Sequence, residues 1–122
     1  MNLLEVVRHI EADVLYGDDL LEGLEVERVY GADLMSDVLA FAVPGSLLLT
    51  GLTNIQIVRT AQMLDIPAVV FVRGKYPQKE AVELASSLNM PVLLSYKSMF
   101  ETCGILFREG MLPCEIERRC PR

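Results

Sequence analysis

Polar and apolar positions along this chain follow two periods, one close to 3.6 residues and one close to 2. From Leu3 to Ile10, apolar residues at Leu3, Leu4, Val7 and Ile10 recur every three or four positions and predict a one-sided helix. "ADVLYG" predicts a short strand closed by Gly17, and "DDLLEGL" a loop or single turn. "EVERVYG" alternates Val26, Arg28 and Tyr30 against Glu25, Glu27 and Val29, an imperfect but strand-like pattern. "ADLMSDVLAFA" then places Leu34, Met35, Val38, Leu39 and Ala42 on the stripe of an amphipathic helix, which Pro44-Gly45 stops.

Beyond residue 45 the pattern becomes regular. "SLLLTG", "PAVVFVRG" and "MPVLLS" are short apolar runs that predict buried strands. Helical stretches follow them. "NIQIVRTAQML" has Asn54 as its N-cap and Ile57, Val58, Ala61 and Leu64 on one face. "PQKEAVELASSLN" has Pro77 near its start and Ala81, Val82, Ala85 and Leu88 facing inward. "SMFETCGILF" has Ser98 as its cap, Glu101 at the third helical position, and Met99, Cys103, Leu106 and Phe107 expected in the core.

Apolar strands joined by helical crossovers pair in parallel and need cover on both faces. The expected fold is therefore α/β: a single three-layer domain, with a mostly parallel sheet flanked by helices. Residues 1–109 are assigned to that domain and residues 110–122 to a C-terminal tail, irregular or packed on a neighbour. A chain of 122 residues, 52% hydrophobic and 23% charged, has enough apolar material for one core. A domain this small is only modestly stable, which favours dimerisation.

Charge narrows the choice of partners. The net charge of −6 argues against nucleic acid, whose phosphates require a basic surface. Ten of the 17 acids fall between Glu5 and Asp37, either as a solvated face or as a handle for a basic protein partner. The longest apolar runs are far short of the roughly 20 residues that span a bilayer, so no membrane partner is expected. Glu5 and Arg8 interrupt the N-terminal segment where a signal peptide would be apolar, and a cytoplasmic location is expected. Three cysteines, Cys103, Cys114 and Cys120, make an odd count whose spacing fits no zinc pattern. His9 is the sole histidine, so neither a metal site nor a nucleophile–base pair can be assembled. Neither a GxxxxGK[ST] nor a GxGxxG loop occurs, and no cofactor is expected.

In open α/β sheets, ligands bind at the carboxyl ends of the strands. That rule selects three loops: "TGLTN", "VRGKYP" and "SYKSMFE". They hold Arg73, Lys75 and Lys97, the hydroxyl and amide groups of Thr50, Thr53, Asn54 and Ser98, and the glycines Gly51 and Gly74. Helix N-termini at two of them favour anions. These nine residues are the candidate site for a phosphate, carboxylate or nucleotide. The competing reading is ordinary turn and capping chemistry. Glu101 is read as a cap rather than a catalytic base.

At these same loops the sequence resembles the DRTGG domain family, found alone and inside larger regulatory proteins such as CBS-containing pyrophosphatases, and is similar to the N-terminal domain of HPr kinase/phosphorylase. The resemblance runs from about Glu25 to Phe107. Where the family has Gly-Asp-Arg-Thr, this chain has Gly51-Leu52-Thr53-Asn54. Where it has Thr-Gly-Gly, this chain has Val72-Arg73-Gly74, and the third motif is kept loosely as Met99-Phe100-Glu101-Thr102. Only Gly51, Gly74, Phe100 and Thr102 correspond position by position. The resemblance implies a regulatory α/β domain, commonly a homodimer, without catalysis of its own, and adds no kinase activity. The expected function is a non-catalytic regulatory domain sensing a small anionic ligand. The alternative is a protein-partner adaptor that docks through the acidic N-terminal half or the cysteine-bearing tail.

Overall fold

The computed structural model describes residues 1–116; Cys120 and the rest of 117–122 lie outside the described residues. In chain order the elements are α1 (Leu3–Ile10), β1 (Asp13–Tyr16), a 3-10 turn (Asp18–Leu20), β2 (Arg28–Gly31), α2 (Met35–Phe41) and β3 (Leu47–Thr50). There follow α3 (Ile55–Met63), β4 (Val69–Phe71), α4 (Lys79–Ser87), β5 (Val92–Leu94), α5 (Met99–Arg108) and β6 (Leu112–Pro113). The six strands form one sheet in the order β1-β5-β4-β3-β2-β6. All neighbours pair in parallel except β1, which runs antiparallel to β5.

The expected strands at 47–50, 69–71 and 92–94 are the middle of this sheet, and every one of their residues is buried. Their side chains alternate between two cores. Leu48, Val69, Phe71, Val92 and Leu94 join Val38, Ile57, Val58, Ala81 and Ala85 from α2, α3 and α4. Leu47, Leu49, Val70 and Leu93 face the opposite layer, with Leu3, Val6 and Ile10 of α1 and Leu106 of α5. Helices on both faces explain why these strands are continuously apolar rather than alternating.

Capping follows the sequence. Asn2 and Glu5 form a capping box at α1, Asn54 accepts from the Ile57 N–H at 3.3 Å, and Ser98 accepts from the Glu101 N–H at 3.1 Å.

The structure corrects several expected faces. In α1 the buried positions are Leu3, Val6 and Ile10, with Leu4 and Val7 half-buried. Helix α2 begins only at Met35, so Leu34 is its N-cap and stands 59% exposed, while Leu39 is 48% exposed. Helix α5 turns Thr102 and Leu106 inward, one turn apart, which leaves Phe107 exposed and Met99 and Cys103 half-buried. Past Gly110 the chain continues into the sheet: Met111 is buried, Leu112–Pro113 pairs with β2, and Cys114 is buried.

Phe71 has no exposed surface and packs between the layers. Phe71→Ala should lower the unfolding free energy by about 3–5 kcal/mol, read as a fall in the urea midpoint at unchanged m.

Candidate functional site

Because β2, β3, β4 and β5 are mutually parallel, their carboxyl ends share one rim. The loops leaving them are 32–34, 51–54, 72–78 and 95–98. Four loops converge, where the apolar strands alone had selected three.

The loops are bonded to each other at their centre. Arg73 and Gly74 both adopt left-handed backbone, with φ of 65° and 66°. This aims their N–H groups across the rim, Arg73 to the Lys97 carbonyl and Gly74 to the Ser95 carbonyl, each at 2.8 Å. For arginine the conformation is strained, and it persists because the surrounding bonds over-determine it. The N–H of Gln78 donates to the Thr53 carbonyl at 2.8 Å, which joins the loop after β4 to the loop after β3. The Arg73 side chain turns back in the same direction, and Nη2 donates to the Gly51 carbonyl at 3.3 Å.

Gly51 leaves room for that approach. A Cβ there would collide with Arg73 Nη2 and come within 3.0 Å of its Cζ. Asp33, in the fourth loop, holds the other side of the same turn. Its Oδ1 accepts from the Gly51 N–H at 2.6 Å and from Thr50 Oγ1 at 3.3 Å, and Thr50 Oγ1 accepts in turn from the Leu52 N–H.

The remaining candidates are placed as follows. Thr50 is fully buried, so its hydroxyl shapes the turn from inside. Thr53 is half-buried and Asn54 exposed, the latter with its side chain committed to capping α3. Lys75 is exposed. Lys97 reaches Glu11 at 3.2 Å, a pairing between residues far apart in sequence. Ser98 caps α5 and is exposed. Beneath them, the buried hydroxyls of Ser95 and Thr102 lie 3.0 Å apart, and Ser95 Oγ accepts from the Lys97 N–H.

Sequence reasoning missed Asp33, Glu11, Asp13, Tyr76 and Tyr96. Tyr96 donates to Asp13 Oδ2 at 2.7 Å and lies 3.3 Å, oxygen to oxygen, from Tyr76. The bond with Tyr76, and next the bond to Asp13, hold the Tyr96 hydroxyl protonated well above the usual tyrosine range. Applying the strand-end rule to "RVYGAD" would have found Asp33, since β2 was legible as a strand. Glu11 caps the C-terminus of α1 and Asp13 opens the antiparallel edge strand, where the rule has no purchase.

The site is thus a hydrogen-bonded, mixed-charge rim. Arg73 and Lys75 supply positive charge, and Asp33 and Glu11 limit it. Among the described residues no three or more His, Cys, Asp or Glu gather as a metal site. The Cys103 thiol is pushed up by burial and is a poor thiolate source. Replacing Asp33 by Ala should cost about 1–2 kcal/mol of stability by orphaning the Gly51 N–H. Asp33→Asn, which keeps an acceptor, should cost less, with urea unfolding as the measurement.

Among solved structures, the chain is similar to the CBS and DRTGG domains of the regulatory region of Clostridium perfringens pyrophosphatase, crystallised with the activator diadenosine tetraphosphate. The TM-score is 0.70 at 16% identity over 91% of this chain and 48% of that one. The likeness is one of fold, and the chain spans about half the length of that region. No curated protein matches. The family model of the DRTGG domain matches residues 5–108, and the chain belongs to the DRTGG domain family.

Proposed function

We propose that this chain is a non-catalytic regulatory domain, homodimeric and cytoplasmic, that senses a small anionic ligand of the nucleotide class at the rim. The observation that carries the reading is the Arg73 hub. A strained arginine, a glycine kept bare for its guanidinium, and three loops bonded through its backbone amide and its side chain form one charged surface on which an anion can seat. Arg73 and Lys75 would meet the anion, with Thr53, Asn54 and Ser98 as polar contacts around it. Thr50, Gly51 and Gly74 would set the backbone, and Lys97 would join once drawn from Glu11. The nucleotide class is supported by the Clostridium perfringens regulatory region, whose structure contains a dinucleotide activator along with its CBS and DRTGG domains.

A ligand that binds only the folded state raises stability by about 2.7 kcal/mol at a hundredfold excess over Kd. Thermal unfolding against adenine and guanine nucleotides, diadenosine tetraphosphate, pyrophosphate and phosphate should therefore show a saturable rise with at least one nucleotide. Calorimetric titration of that nucleotide with Arg73→Ala and Gly51→Ala should show affinity lowered about tenfold or more, the second because it evicts the guanidinium. A flat response to every compound, or undiminished affinity in Arg73→Ala, would overturn the reading.

A further inference from the structure

Helix α5 presents an apolar stripe to solvent. Phe100 is 88% and Phe107 68% exposed, and with Cys103 and Gly104 between them they recur at i, i+3, i+4 and i+7. The stripe borders a groove of about 330 Å³ floored by Val29 and Gly31 and closed on its far side by Met111, Leu112 and Pro113. The groove lies where this layer of helices ends, beside β2 and β6 at the sheet margin. Two phenylalanines held in water on a rigid helix are a standing cost, and large exposed apolar patches mark contact surfaces.

We infer that this face is the homodimer interface, with α5 packed antiparallel on α5 of a second copy about a two-fold axis between Cys103 and Gly104. The inference rests on the homodimer part of the proposed function and gives it a location. Charge complementarity selects a second copy as the occupant. About an axis midway between Cys103 and Gly104, Phe100 of one copy lies over Phe107 of the other, so each exposed ring is covered by an exposed ring. At the crossing, Gly104 leaves open space, since an added Cβ would find no atom within 4 Å. The exposed Glu101 and Arg108 share one flank of α5. The antiparallel arrangement sets each Glu101 beside the partner's Arg108, with an axial offset of about 3 Å.

The available area fits a modest dimer. The two rings offer on the order of 300 Å² per copy. Leu112 and the groove walls bring the face towards the roughly 600 Å² per partner at the lower end of specific interfaces. Association should therefore depend on concentration rather than be permanent.

Sedimentation equilibrium of the full chain over a wide concentration range tests this. A reversible monomer–dimer equilibrium is expected, weakened roughly 30-fold or more in Phe100→Asp and in Phe107→Asp. Both positions are exposed, so urea unfolding should show the monomer fold intact. Gly104→Leu should also weaken the dimer although it adds apolar surface, because it blocks the crossing. Glu101→Arg should weaken association, and combining it with Arg108→Glu should restore it. A chain that stays monomeric throughout would overturn both the interface and the homodimer. A dimer indifferent to the phenylalanine and Gly104 substitutions would overturn the interface alone.

Discussion

Strands of three or four residues form too few ladder hydrogen bonds to hold a sheet together by themselves, so this fold depends on burying both faces of β3, β4 and β5 at once. Each of those strands contributes side chains to two cores, one under α2, α3 and α4 and the other under α1 and α5. Removing either layer would leave half of every central strand in water. The sheet is therefore a shared wall, and the helices are stable because the wall is there to pack on.

That wall also supplies the rigidity the rim needs. Arg73 sits two residues beyond the end of β4, and its left-handed backbone is tolerable only because the loops on either side are fixed by strands whose positions are not negotiable. The hydrogen bonds from Arg73 and Gly74 to the loop after β5, and from the Arg73 side chain to Gly51, convert three separate turns into one surface. Asp33 extends it to a fourth turn and balances part of the charge.

Most of the architecture was legible in the sequence because fully buried strands announce themselves as unbroken apolar runs, and because Asn54 and Ser98 mark helix starts by a local mechanism. What escaped was set by tertiary context. A two-residue strand containing proline has no periodicity to detect, so β6 was invisible in "MLPCE". Phe107 fits the apolar stripe of α5, but a stripe does not reveal which part of it the sheet reaches. At the rim, the loop residues were found from strand ends. Their bonding was not, because Arg73 turning onto Gly51 and Lys97 pairing with Glu11 are long-range choices of geometry.

The outermost strand has a consequence for solubility. The N–H groups of Leu112 and Cys114 point inward to the carbonyls of Glu27 and Val29, so the position facing away from the sheet is Pro113, which has no N–H to offer. Its carbonyl is taken by Arg28 Nη1 at 2.8 Å. Among the described residues, Pro113 therefore gives an incoming strand no donor and a carbonyl already engaged, which hinders a continuous cross-molecular ladder at this edge.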